Sequence, residues 1–280
     1  MSSQQENQED HRNNGGFRFF KNSFLQGMVS LQLSHEALEQ LQELDSMLEK
    51  AELDKDTGST TAGVIELDGR KYFLKRYNNP DLQRKLKNSV RQTRPFKVLK
   101  SSQLISAAGV MTPEVYAALN YRRGLLLESS YLICSYLESA KTANHFIEEL
   151  IEEEKFRNFA GKICQILTKI HNAGIMHGDV KISNILMKYD GESYELGLLD
   201  LDASRCCGNE SLSPRRRIRD LARLISSYSL SCRSRDLKVQ ELDELIKYFA
   251  DRYYNVSGIS LHGDRLTRRT EYLSKRVRKK

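Results

Sequence analysis

The octapeptide His177-Gly178-Asp179-Val180-Lys181-Ile182-Ser183-Asn184 sets one acid, one lysine and one amide at fixed spacing, and Asp200 follows sixteen residues after Asn184. Phosphoryl transfer needs that combination. An acid must orient the acceptor hydroxyl and take its proton. An amide oxygen and a second acid must hold a divalent cation against the phosphates, and a further cation must offset the charge spreading over the transferred group. On this reading Asp179 is the base, Asn184 and Asp200 are metal ligands, and Lys181 touches phosphate. Asp202 supports the second metal or the loop. Each residue alone reads as a cap or a turn. The joint pattern His-x-Asp-x-Lys-x-x-Asn, followed by Leu-Leu-Asp, is what points to chemistry. His177 reads as structural, hydrogen-bonding backbone and bracing the two metal-binding segments.

Upstream, Tyr72-Phe73-Leu74-Lys75-Arg76 follows an Asp68-Gly69 turn and sets Lys75 in a strand, from which a lysine can reach the α- and β-phosphates of a nucleotide. Before that turn, Asp56-Thr57-Gly58-Ser59-Thr60-Thr61-Ala62-Gly63 matches Gly-x-Gly-x-x-Gly only in part. Its small residues, Gly58, Ser59 and Thr60, still let backbone N–H groups and hydroxyls approach phosphate.

The elements that must position these residues follow from periodicity. Ser34 caps a helix with apolar residues at Leu38, Leu41, Leu44, Met47 and Leu48. Residues 81–108 read as helical and stop at Gly109. Two strands flank the Arg122-Arg123-Gly124 turn, and a short strand pair flanks Asp190-Gly191. Phe156, Phe159, Ala160, Ile163, Ile166, Leu167 and Ile170 form the apolar stripe of a long helix that ends at Gly174. Residues 1–16 read as disordered, and 17–28 as a short aromatic-basic segment without an assigned role. The order, strands with one helix and then helices with a small hairpin, predicts an α+β molecule with a smaller N-terminal part and a boundary near residues 138–140.

Composition narrows the class. No apolar run approaches the roughly 18–20 residues that span a bilayer, and no apolar leader core precedes Phe17. The five cysteines are odd in number and show no Cys-x-x-Cys spacing, which fits reduced thiols rather than a disulfide framework or zinc. The net charge of +7 resides in residues 265–280, where eight bases meet one acid; the rest of the chain is neutral in sum. Such a tail attracts anionic lipid or reads as a solvated, frayed helix. Nucleic acid is not expected, because Tyr272 is the one aromatic among those bases.

These motifs together resemble the lipopolysaccharide kinase family, the Kdo/heptose kinases of Gram-negative bacteria, within the protein-kinase-like fold. The matching pieces are Phe73-Leu74-Lys75-Arg76-Tyr77-Asn78, Ala108-Gly109-Val110-Met111-Thr112-Pro113, Glu128-Ser129-Ser130-Tyr131-Leu132, the 177–184 loop, Leu199-Asp200-Leu201-Asp202 and Arg219-Asp220-Leu221-Ala222-Arg223-Leu224. The resemblance implies a two-lobed fold with a small β-rich N-terminal lobe and a larger, mainly helical C-terminal lobe. The implied division is a disordered 1–16, an ATP-binding lobe with its extension over 17–138, a catalytic lobe over 139–264 and a basic tail over 265–280. It also implies ATP between the lobes with adenine against Ser135-Tyr136-Leu137, Mg²⁺ as cofactor, and a sugar hydroxyl of the lipopolysaccharide inner core as acceptor. That places the enzyme in the cytoplasm, peripheral on the cytoplasmic face of the inner membrane.

Departures from the family pattern keep other readings open. Kinases pair the strand lysine with a helix glutamate, yet residues 82–111 contain no acid, which leaves Gln103 or another element as the partner of Lys75. This absence and the partial Gly-rich loop suit a pseudokinase scaffold, whereas Lys181 in Asp-x-Lys-x-x-Asn suits an atypical Ser/Thr or Tyr protein kinase. Two basic clusters, 84–100 and Arg215-Arg216-Arg217 with Arg219, suit an anionic glycolipid acceptor, although the first also reads as the exposed face of an amphipathic helix.

Overall fold

The computed structural model describes residues 16–190, 193–208, 210–238 and 240–277. The expected disorder of residues 1–15, the Gly191 half of the Asp190-Gly191 turn and the last three basic residues lie outside them. The chain adopts the expected α+β class and divides into two compact units. The first holds the described residues up to Phe96 together with Glu114–Tyr136, and the second holds Lys97–Pro113 and the described residues from Leu137.

The first unit is a seven-stranded antiparallel sheet. Its strands are β1 (Phe17–Lys21), β2 (Leu25–Ser30), β3 (Leu53–Thr57), β4 (Thr60–Leu67), β5 (Arg70–Asn78), β6 (Val115–Arg123) and β7 (Leu126–Ser135), in the spatial order β1-β2-β6-β7-β5-β4-β3. The 17–28 segment is therefore an edge hairpin. Its turn is closed by Asn22, whose Oδ1 accepts from the backbone of Phe24 (2.9 Å) and Leu25 (2.7 Å). Alternation across the sheet turns Leu25, Val29, Ile65, Leu67, Tyr72, Leu74, Leu119 and Ile133 to one core. The predicted helix after Ser34 covers that core in two pieces, α1 (His35–Gln40) and α2 (Leu44–Lys50), joined by a 3₁₀ turn at Leu41–Glu43. The Ser34 hydroxyl accepts from Ala37 N–H at 3.0 Å, as a cap should. The break in the helix keeps Leu41, Leu44 and Leu48 buried together. The β4–β5 turn carries positive φ at Asp68 and Gly69 (48° and 67°), the type I′ signature of Asp-Gly. The predicted 81–108 helix is also two elements, α3 (Leu82–Ser89) and α4 (Arg94–Ala107), the latter lying mostly in the second unit.

The second unit is helical around short strands: β8 (Ala140–Thr142), α5 (Glu153–Asn172), β9 (Ile175–Met176), β10 (Ile185–Asp190), β11 (Ser193–Leu198), β12 (Arg205–Cys206), α6 (Pro214–Arg233), α7 (Leu242–Ser257) and α8 (Asp264–Val277). Every residue of the predicted α5 stripe is buried. β10 pairs with β11 and β8, and β9 pairs with β12, which holds the 177–184 loop between two small sheets. The basic stretch that begins at Arg265 runs within α8, which packs on α6; Leu266, Thr270 and Leu273 are buried, and the Ser226 hydroxyl donates to Thr270 O at 2.9 Å. Among the described residues no helix is long and apolar enough to cross a membrane.

α8 is thus part of the second unit's core. Leu266→Ala is expected to cost about 2–5 kcal/mol of stability. Denaturant unfolding of the full chain measures it; a loss below about 0.5 kcal/mol would show that α8 contributes little.

Candidate active site

The 177–184 loop runs from β9 to the 3₁₀ turn Ile182–Asn184 that precedes β10. One face of α6 fixes it. Asp220, Arg223 and Ser227 recur at helical spacing, i, i+3 and i+7, and each bonds the loop. The Asp220 carboxylate accepts from the backbone N–H of His177 and of Gly178, both at 2.8 Å. The Ser227 hydroxyl accepts from Ile182 N–H at 3.0 Å. Arg223 donates through Nε (2.8 Å) and Nη2 to Asp179 Oδ1. Gly178 is required at its position. Its φ is +84°, and a Cβ there would stand 2.5 Å from the Ala203 carbonyl oxygen.

Asp179 is half-buried between two cations, with Lys181 Nζ on Oδ2 at 2.8 Å and Arg223 on Oδ1. Burial alone would raise its pKa. The hydrogen bonds and charges of Lys181 and Arg223 outweigh burial and hold the carboxyl below the ordinary carboxylate range. Asn184 Nδ2 donates to the Asp179 main-chain oxygen (2.9 Å) and to its carboxylate (3.4 Å), so Oδ1 is the end of the amide that can ligate a metal. The Leu199 N–H donates to Asn184 O at 2.8 Å, which brings the segment carrying Asp200 alongside Asn184. The expected brace is present, since His177 Nε2 donates to Leu199 O at 3.0 Å while its Nδ1 accepts from Asp179 N–H at 3.3 Å. Asp200 itself is exposed and left-handed, with φ 54°. An amide oxygen and a carboxylate, both hard oxygen donors, suit a hard divalent cation.

Behind the loop, polar groups run inward without a gap. Arg217 is buried and donates through Nη1 to Tyr253 Oη (2.6 Å). Tyr253 bonds His171 Nδ1 (2.8 Å), and His171 Nε2 faces Asp220 Oδ2 (3.2 Å). Burial keeps His171 below its usual pKa, so it is a neutral relay that donates from Nε2 to the carboxylate and accepts from the tyrosine. Burial would raise the Asp220 pKa. The His171 hydrogen bond and charge, with the Gly178 N–H, prevail and keep it ionised. Arg217 was expected in an acceptor-facing basic cluster and instead lies inside this network; Arg215, Arg216 and Arg219 remain exposed.

The other candidate residues sit on the sheet or just after it. Lys75 is buried in β5, in register with Ala62 and Leu132, and lies over the Tyr77 ring at 5.4 Å. Gly58 and Ser59 form the exposed two-residue tip of the β3–β4 hairpin, and Thr60, buried, opens β4. That tip is tied by Thr57 Oγ1 to Thr60 O (3.0 Å) and by Asn78 N–H to Ser59 O (3.0 Å). The stretch expected to act as a Gly-rich loop is thus a tight hairpin. Ser135 ends β7, with its Oγ accepting from Glu114 N–H at 3.0 Å; Leu137 is partly buried. Gln103 is exposed on α4, and that helix is tied near its middle by Ser204 Oγ donating to Ser101 Oγ at 2.7 Å. The sequence pattern missed the clamp of Asp220, Arg223 and Ser227, although Asp220 and Arg223 stand in a quoted motif. The available signal was three polar residues at i, i+3 and i+7, which fall on one face of the helix.

Comparison with known proteins finds one matching family description, two relatives and a solved structure of similar fold. The description "Lipopolysaccharide kinase (Kdo/WaaP) family" matches residues 36–249. A 3-deoxy-D-manno-octulosonic acid kinase of Vibrio parahaemolyticus is 26% identical over 193 residues, 67% of this chain and 76% of that protein. The KEOPS complex subunit Bud32 of Pyrococcus abyssi is 26% identical over 140 residues, 49% of this chain and 57% of that protein. The solved structure of WaaP in complex with acyl carrier protein superposes with a TM-score of 0.55 at 17% identity, over 84% of this chain and 91% of that one, a likeness of fold.

Two outcomes follow from the buried network. Asp220→Ala strands one buried and one part-buried N–H group of the loop and is expected to cost about 3–5 kcal/mol. Denaturant unfolding reads this, and a cost under 1 kcal/mol would contradict the clamp. Second, His171 and His177 are held neutral by burial, whereas in the unfolded chain each titrates near about 6.5. The unfolded state therefore takes up more protons as pH falls, so the stability present above about pH 6.5 drains away below it. Scanning calorimetry should show Tm declining from about pH 6.5 towards 5. A flat Tm across that window would mean these histidines are charged in the folded state.

Proposed function

This chain belongs to the lipopolysaccharide kinase (Kdo/WaaP) family, and on that premise we propose that it transfers the γ-phosphoryl group of ATP to a sugar hydroxyl, of Kdo or a heptose, in the lipopolysaccharide inner core. The observation that supports this most is the joining of the 177–184 loop to the Asp200 segment. Asp179, Lys181 and Asn184 are mutually bonded, and Leu199 is tied to both His177 and Asn184.

Asp179 orients the acceptor hydroxyl and takes its proton as the new bond forms. Its two cations keep the carboxylate ionised and fixed, so little reorganisation is needed when the hydroxyl arrives. Lys181 lies beside Asp179 and offsets charge on the transferred group. Asn184, through Oδ1, and Asp200 would hold Mg²⁺. When bound there, it would offset the negative charge that develops on the phosphates. On the nucleotide side, Lys75 and the hairpin residues Gly58, Ser59 and Thr60 serve the phosphates, and Ser135 and Leu137 the adenine. A protein acceptor is the second reading, favoured by Lys181 in the form Asp-x-Lys-x-x-Asn.

Asp179→Ala is expected to lower turnover by about 10²-fold or more, with nucleotide affinity held within a few-fold. Asp200→Ala should instead erase the Mg²⁺-dependent part of the thermal shift given by ATP. Labelled ATP is offered with core glycolipid and, separately, with a general protein substrate. Label in protein and never in glycolipid would sink the sugar acceptor, and unchanged turnover of Asp179→Ala would sink its role.

A further inference from the structure

The α3 helix buries none of its residues. Leu82, Leu86 and Val90, at every fourth position, are 61, 54 and 86% exposed; Leu125 at the β6–β7 tip is 89% exposed, and Phe24 in the β1–β2 turn 63%. One residue holds these three segments together. Arg122 donates through Nη1 to Leu125 O (3.1 Å) and through Nη2 to Ser89 O (3.2 Å), and its backbone N–H donates to Phe24 O (3.1 Å). A second tie, from Leu127 N–H to Ser89 Oγ, is 2.8 Å long. Five large apolar side chains thus share one end of the sheet, where isolated exposed leucines would need no account.

Cations rim this end. Lys87, Arg91 and Arg123 are exposed and make no ion pair among the described residues. The nearby acids are engaged: Asp81 caps α3 and pairs with Arg84, and Glu128 pairs with Lys85. Apolar tips inside a basic rim are what an anionic bilayer surface accepts, because its headgroup layer opens around separate protruding side chains. A protein partner would need a matching groove. α8 carries more charge but lacks this combination, since Leu266 and Leu273 are already buried and its outer face offers Arg265, Arg268, Arg269 and Tyr272.

We propose that the end of the sheet formed by α3, the β6–β7 tip and the β1–β2 turn docks the protein on an anionic lipid bilayer. Leu82, Leu86, Val90, Leu125 and Phe24 enter the headgroup layer, and Lys87, Arg91 and Arg123 contact its anions. The assignment goes beyond the phosphotransfer reading and does not depend on it.

The chain has no tryptophan, so one introduced residue reports its own surroundings. Full-length Leu125→Trp and, separately, Tyr272→Trp are mixed with vesicles of phosphatidylcholine alone or with added phosphatidylglycerol. The emission of Leu125→Trp should shift to the blue on the anionic vesicles only, and that of Tyr272→Trp should stay in place. In sedimentation, wild-type protein should bind anionic vesicles, less so at high salt, and the exposed triple Leu86→Ser, Val90→Ser, Leu125→Ser should lose about tenfold or more in partition. A shift at Tyr272→Trp without one at Leu125→Trp, binding by the triple equal to wild type, or no wild-type binding would each overturn the proposal. A wild-type dimer that the triple dissociates would assign the surface to a second copy and overturn it as well. The tryptophan reading stands even if the triple does not fold.

Discussion

The loop geometry depends on a single buried carboxylate. Asp220 is an ion taken wholly out of water, a placement that costs several kcal/mol unless its oxygens are satisfied. They are, by two backbone N–H groups of the loop and by His171. The cation that balances it, Arg217, stands one helical turn earlier on α6 and reaches it through Tyr253 and His171 rather than by contact. Because the relay draws one residue from α5 and one from α7, the 177–184 backbone is held by three helices at once.

This arrangement divides the work along α6. Asp220 and Ser227 hold main chain, whereas Arg223, between them, holds a side chain. The loop is therefore shaped by one set of contacts and charged by another. Asp179 feels burial pushing its proton affinity up and two cations pushing it down, and the cations prevail. A carboxylate so placed is ordered before any hydroxyl meets it, which is the condition under which electrostatic positioning is most effective.

What could be read in advance follows the range of the interactions. Local signals were legible: the Asp68-Gly69 hairpin, the α5 stripe, the Ser34 cap and the joint motif of the loop with Asp200. Interactions between distant parts were not. Nothing near Asp179 in the chain announces Arg223, forty-four residues on. Arg217 looked like a member of an acceptor-facing basic cluster because its neighbours are arginines, and only the packing of α6 turns it inward. The helix after Ser34 shows an unbroken apolar period, and the 3₁₀ turn within it, which keeps Leu41, Leu44 and Leu48 in one core with the sheet, is not encoded in that period. The 17–28 segment was unreadable for a related reason, because an edge hairpin is defined by the strand it joins. Its partner β6 lies some ninety residues away.

The outer strand β3 has a further consequence. An open antiparallel sheet ends in a row of unpaired backbone groups, ready to recruit another chain. Here that row is short and fully exposed, carries Asp54, Lys55 and Asp56, and is interrupted by a bulge between Leu53 and Lys55. A second sheet approaching it would meet charge and broken register together. The same hairpin whose tip carries Gly58 and Ser59 therefore also guards the molecule against edge-to-edge aggregation, so that smoothing it into a longer, apolar strand would endanger solubility before it altered any chemistry.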